Sequence, residues 1–207
     1  MKITNIEPQR NKDRVNVYVD DLFTIGIDLE LKYKHKLEIG MEVDDNFIQE
    51  VLKSEEQNKV INHALNLLSF RQRSEKEIYT ALKRKDYDEI YIENAIDYCR
   101  KQKFLDDRSF AKAFIKDKLN LNQLGEQRIK YELQIKWVSE EIIDDVLVLD
   151  RDDQFDAAFK LAEKKLPSYR NDDKNAAYRK LSGFLQRKGF SYGVIKAAVA
   201  SLAEKGI

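Results

Sequence analysis

Three leucines, Leu82, Leu133 and Leu185, each stand at the centre of the same spaced set of side chains, 51 and 52 residues apart. Four residues before each anchor come Ile78, Ile129 and Leu181, and three after it come Lys85, Lys136 and Lys188. Tyr87, Val138 and Phe190 follow at five, Asp88, Ser139 and Ser191 at six, and Ile92, Ile143 and Ile195 at ten. Ala95-Ile96, Val146-Leu147 and Ala198-Val199 complete the set at thirteen and fourteen. A pattern held at so many positions in three copies makes this a repeat protein. Its unit buries little alone and gains a core from its neighbours.

The chemistry of the unit is helical. Asp88, Ser139 and Ser191 are N-cap residues by type, able to accept a bond from an unpaired amide of a first turn. The pairs Tyr87–Ile92, Val138–Ile143 and Phe190–Ile195 have the spacing of a hydrophobic staple. Ser74 and Glu77 make an S-x-x-E capping box before the first anchor. A further helix precedes each pair, marked by Leu65/Leu68, then Phe110/Ala111/Phe114/Ile115, then Phe155/Ala158/Phe159/Ala162. Asp106 caps the second of these, flanked by the staple pair Leu105–Phe110. Each unit is therefore three helices.

The N-terminus obeys another period. Val15, Val17 and Val19 alternate with polar positions, Asp20-Asp21 interrupts, and Phe23, Ile25 and Ile27 resume. This predicts a β-hairpin, with a short strand expected over Leu37–Val43. With only seven Gly and two Pro among 207 residues, long helices are favoured over turn-rich sheet elsewhere. The expected fold is mainly α: three tandem three-helix repeats in an elongated array, preceded by a small N-terminal β-hairpin extension. The boundaries fall at 1–55, 56–105, 106–150 and 151–207. One cysteine, Cys99, excludes an internal disulfide and is expected to be buried in its helix. No apolar leader or spanning run is present, so a cytoplasmic protein without a membrane role is expected.

Catalysis finds no foothold in the sequence. His35 and His63 are the only histidines and neither has ligand spacing to Cys99. No phosphate-binding glycine loop or nucleophile elbow occurs. Adjacent acids such as Asp106-Asp107 and Asp144-Asp145 point to different sides of a helix. The expectation is a protein that is not an enzyme and needs no cofactor or metal. Basic residues, by contrast, recur beside the middle helix of every unit: Arg71, Arg73, Lys83, Arg84 and Lys85, then Arg128, Lys130 and Lys136, then Arg179, Lys180, Arg187 and Lys188. Stacked units would align these as a stripe, with Tyr131 and Trp137 flanking its middle portion. Formal net charge is zero, spread as −4, +2, −3 and +5 over 1–60, 61–105, 106–150 and 151–207. Such a balance suits a protein partner better than naked DNA.

The stretches "LLSFRQRSEKEIYTALKRK", "FLDDRSFAKAFIKDKL" and "GEQRIKYELQIKWVSEEII" resemble the RecX family, bacterial regulators of the RecA recombinase. The resemblance covers roughly residues 60 to 200, and the hairpin extension is similar to that of longer members from low-GC Gram-positive bacteria. Asp86 and Trp137 depart from the glycine that often follows the shared lysine and that Gly189 keeps, so a left-handed turn is expected chiefly at Gly189. The resemblance implies a partner, RecA and its filament on single-stranded DNA, whose extension, ATP hydrolysis and strand exchange the protein limits as a monomer. It also implies a place in recombination, DNA repair and the SOS response. Weak direct DNA contact through the basic stripe is a further expectation. The alternative is a direct DNA-binding helical module that acts without RecA, since a three-helix unit can place a helix in a major groove.

Overall fold

The computed structural model describes residues 1–204; residues 205–207, which the third repeat was drawn to include, lie outside the described residues. Strands β1 (Ile3–Pro8), β2 (Arg14–Val19) and β3 (Leu22–Asp28) form an antiparallel sheet in the order β1-β2-β3. The predicted hairpin is β2–β3, turned at Asp20 and Asp21 with φ of 49° and 66°. The third strand is β1 rather than the expected Leu37–Val43. That segment bends at Gly40 (φ 93°) and forms no strand, meeting the start of the chain through an isolated bridge between Lys2 and Glu42 and backbone bonds at Met1 and Ile3. Its Leu37 and Val43 are buried all the same, against Ile3, Val17 and Ile27.

Ten helices follow among the described residues: α1 (Leu29–Lys34), α2 (Asp45–Phe70), α3 (Glu75–Lys83), α4 (Glu89–Lys101), α5 (Asp107–Asn120), α6 (Glu126–Ile135), α7 (Glu140–Val146), α8 (Arg151–Lys165), α9 (Lys174–Lys188) and α10 (Tyr192–Glu204). A 3-10 turn at Leu166–Tyr169 joins α8 to the loop before α9. None of the described helices is long and apolar enough to cross a membrane. The chain divides into two compact units, Met1–Arg71 with Ile78–Phe104, and Gln72–Glu77 with residues 105 onward.

In the first unit the sheet rests on α1 and the N-terminal half of α2, which begins at Asp44, whose carboxylate accepts the Phe47 amide at 2.8 Å. A charged cluster joins sheet to helix. Arg14 on β2 reaches Asp28 and Glu55, each at 2.6 Å, and Glu55 also accepts the Asp28 amide at 3.1 Å. Asn58 and Asn62 donate to the second Asp28 oxygen. Glu55 is only 2% exposed, and every buried side-chain oxygen and nitrogen among the described residues has a partner. Burial works against the Arg14 charge, but the hydrogen bonds and charges of Glu55 and Asp28 outweigh it and raise the guanidinium's pKa. Farther along, Gln57 of α2 donates to the Tyr91 carbonyl and accepts from Asn94, fixing α4 against α2.

The anchors explain the repeat. Leu82, Leu133 and Leu185 are fully buried, as are Ile78, Ile129 and Leu181 one turn earlier. Burying one such leucine is worth roughly 2–3 kcal/mol. In the second and third repeats the carbonyl of the anchor also accepts from the residue after the turn, Val138 at 3.2 Å and Phe190 at 3.2 Å. Trp137 and Gly189 donate to Gln134 and Gln186, which completes a Schellman end. Asp86, Trp137 and Gly189 have φ of 58°, 63° and 90°, so the left-handed turn is present in all three copies, not chiefly at Gly189. The six-residue closure and the buried staple residue force this φ even on tryptophan, against a side-chain penalty of about 1–2 kcal/mol. Ser139 and Ser191 cap as expected, through Ile142 and Val194, whereas Asp88 occupies the cap position without a side-chain bond. Asp106 accepts both the amide and hydroxyl of Ser109, the first and second causes that lower its pKa.

The second unit is held by helix ends that meet. Gly125 and Gln127, at the start of α6, donate to the carbonyls of Lys188 and Gly189 at 2.9 and 3.0 Å, and Glu126 N–H donates to buried Gln154 at 3.1 Å. No side chain fits here. A Cβ on Gly125 would lie 2.4 Å from the Gly189 carbonyl, and one on Gly189 would lie 2.2 Å from Arg128 Cβ. The first turn of α3 belongs to the same unit and meets the turn after α6 through its side chains. Ser74 is buried and accepts the Glu77 amide at 3.3 Å, but the Glu77 carboxylate does not close the box; it pairs with Lys136 at 2.5 Å. Lys76 lies 4.8 Å over the Trp137 ring, and Glu75 N–H is 3.4 Å from Asp107.

Two outcomes follow for stability, both measured by denaturant unfolding. Asp86→Gly, at an exposed left-handed position, should raise stability by about 0.5–1 kcal/mol, and Gly189→Ala should lower it by more than about 2 kcal/mol. Arg14→Met leaves Glu55 buried beside Asp28 without its cation and should remove about 3 kcal/mol; an unchanged midpoint would show that the cluster does not hold the sheet to α2.

Candidate partner-binding surface

The basic residues singled out from the sequence fall into distinct environments. In the first repeat Lys83 meets Glu89 at 3.3 Å, and the same carboxylate accepts the Tyr79 hydroxyl at 2.6 Å. The Tyr79 bond first, then Lys83, holds the Glu89 carboxyl below its usual range. Arg71 and Arg73 take part in interactions of their own. Arg84 and Lys85 are exposed just past α3, with no carboxylate in ion-pair range among the described residues. Burial and then the charge of Lys85 lower the pKa of His63, whose ring packs edge-on against Tyr87.

In the second repeat Lys130 bridges Asp144 at 2.8 Å and Glu140 at 3.3 Å, and its pKa is raised, Asp144 being the larger cause. Lys136 is tied to Glu77, and Arg128 to Glu132 at 2.9 Å. In the third repeat Lys180 meets Asp172 at 2.7 Å, Lys188 donates to the Asn122 carbonyl at 2.9 Å, and Arg179 and Arg187 are exposed with no carboxylate in range among the described residues. Much of the basic set thus serves in ion pairs. Cys99 is fully buried, and burial pushes its thiol pKa up.

One cleft does gather cations. Arg128, Arg187 and Lys188 line a space of about 660 Å³ together with Lys118 and Tyr131. Lys118, on α5, was not singled out from the sequence because it lies outside the repeated middle-helix pattern; only its meeting with Glu132 at 2.8 Å reveals its place. Tyr131, Ile135 and Trp137 are about half exposed along α6 and its turn, with Arg128 5.7 Å over the Tyr131 ring.

Comparison with known proteins covers nearly the whole chain. Residues 1–44 match the regulatory protein RecX N-terminal domain, and 61–99, 106–147 and 152–199 match the first, second and third three-helix domains of RecX. The Regulatory protein RecX of Clostridium tetani (strain Massachusetts / E88) is 38% identical over 205 residues, spanning 97% of this chain and 94% of that one. That of Clostridium perfringens (strain 13 / Type A) is 40% identical over 205 residues, spanning 97% and 96%. Among solved structures, a crystal structure of regulatory protein RecX superposes with a TM-score of 0.85 at 30% identity, covering 95% of this chain and 98% of that one. RecX from Lactobacillus salivarius gives 0.65 at 29% identity, covering 73% and 99%. With its sheet and three helical repeats matched in order, the chain belongs to the RecX family of regulatory proteins.

Proposed function

We propose that this chain is a non-enzymatic regulator that binds RecA and the RecA filament on single-stranded DNA. It limits filament extension, ATP hydrolysis and strand exchange, and so regulates recombination and DNA repair in the cytoplasm. The observation that supports this reading is the match of all four RecX domains in order along the chain. The exposed cations without carboxylate partners among the described residues, Arg84, Lys85, Arg179 and Arg187, are the best placed of the basic set to meet an acidic or phosphate-bearing partner. Those already bound to carboxylates, such as Lys130 and Lys136, serve the fold first.

A second reading, direct DNA binding without RecA, is favoured by the cations gathered between Lys118 and Lys188. The RecA-dependent ATPase rate on single-stranded DNA separates the two when the protein is titrated beside a binding curve for the same DNA alone. Inhibition well below the concentration that saturates bare DNA is expected. Arg84→Glu/Lys85→Glu/Arg179→Glu, folded by circular dichroism, should need at least about tenfold more protein for half inhibition, since each reversed charge is worth about 1 kcal/mol or more. Unaltered inhibition would remove these residues from the binding surface. No effect of the natural chain on RecA would favour the direct DNA module.

A further inference from the structure

Twice in the second unit a helix start meets the turn after an anchor, and at one pair of positions the charges differ. Glu77, five residues before Leu82, pairs with Lys136, three residues after Leu133. The equivalent residues at the next junction are Arg128, five before Leu133, and Lys188, three after Leu185. Two cations stand where the other junction has an ion pair. They cannot drift far apart, because the backbone of Arg128 lies against the turn at Gly189.

The surroundings sharpen the imbalance. Lys118 and Arg187 line the same cleft, and Glu132 is the carboxylate among its lining residues. Glu132 accepts from Lys118 at 2.8 Å and from Arg128 at 2.9 Å. Burial pushes this carboxyl's pKa up, but the bonds and charges of Lys118 and Arg128 outweigh it and hold the pKa low. One carboxylate does not balance four cations. Nor does the usual reason for cations at a helix C-terminus apply, because the Lys188 and Gly189 carbonyls already accept from Gly125 and Gln127. Lys188 is steadied instead by the Asn122 carbonyl, as Lys118 and Arg128 are by Glu132. Cations held before a ligand arrives lose little freedom on binding it.

We propose that this cleft is a phosphodiester site, in which a phosphate of single-stranded nucleic acid supplies the negative charge that Glu77 supplies at the other junction. Arg128 and Lys188 flank the phosphate, and Lys118 and Arg187 extend the positive track. The choice of a strand rests on the function proposed above and on Tyr131. Its ring, 52% exposed beside Arg128, offers a face for an unpaired base, the combination of basic groove and aromatic platform that single strands use.

The test uses the full chain, a fluorescent oligothymidylate and no RecA, with anisotropy followed across a salt series. Arg128→Glu rebuilds at this junction the acid–lysine pair of the other. It should weaken strand binding at least about tenfold and flatten the log–log salt slope by about 0.7 for each phosphate that is no longer neutralised. Undiminished binding with an unchanged slope in folded Arg128→Glu overturns the site, as does a natural chain that does not bind the strand. Should Arg128→Glu fail to fold, exposed Arg187→Ser must show weakened binding and a flatter slope, and no change there overturns the site equally. Oligoglutamate displacing the strand at equal charge concentration would overturn the phosphate assignment in favour of an acidic peptide. Strand binding abolished in Arg128→Glu, alongside a natural chain that leaves RecA unaffected, would support the cleft and overturn only the function proposed above.

Discussion

An α-helix leaves amides without partners at its first turn and carbonyls without partners at its last. In the second unit these two deficits answer each other. The end of α9 presents the carbonyls of Lys188 and Gly189 to the amides of Gly125 and Gln127 at the start of α6. The contact is backbone on backbone, so it admits only glycine at Gly125 and at the left-handed Gly189. Much else depends on it. It fixes the second repeat to the third without relying on flexible side chains, sets the negative end of one helix against the positive start of another, and brings Arg128 to the turn that follows Lys188.

The two compact units handle charge differently. In the first, Arg14 is satisfied by two carboxylates, and the second Asp28 oxygen by two asparagines. Such a cluster locks sheet to helix and offers nothing to a partner. Glu77 and Lys136 likewise close one junction. The cleft lined by Lys118, Arg128, Arg187 and Lys188 keeps an excess of positive charge. A residual charge held in place by the fold is more informative about ligands than the overall charge of zero, which reflects many such local balances.

The sequence was most legible where one helical pattern controls position. The anchors, the staples and the caps at Ser139, Ser191 and Asp106 could be read because spacing alone decides them. The hairpin was equally clear from alternation. Strand β1 was not, since Ile3-Thr4-Asn5-Ile6 carries little alternation and the strand forms only because β2 offers it an edge. The left-handed turns at Asp86 and Trp137 were hidden for a related reason: residue type argues against them, while at Trp137 the closure around the anchor demands one. The fate of the basic residues was the least legible. Glu132 with Lys118, Glu77 with Lys136 and Asp172 with Lys180 are pairings between separate segments, and no spacing within one segment encodes them.

Hydrogen exchange at the Gly125 and Gln127 amides tests the meeting of helix ends most directly. Amides at a helix N-terminus ordinarily exchange fast, having no intrahelical acceptor. If the Lys188 and Gly189 carbonyls hold them, both should be protected to the same opening free energy as the buried turn at Leu185, and in the same cooperative event. Fast exchange at Gly125 and Gln127, with Leu185 still protected, would mean that the second and third repeats open independently and that the backbone junction does not join them.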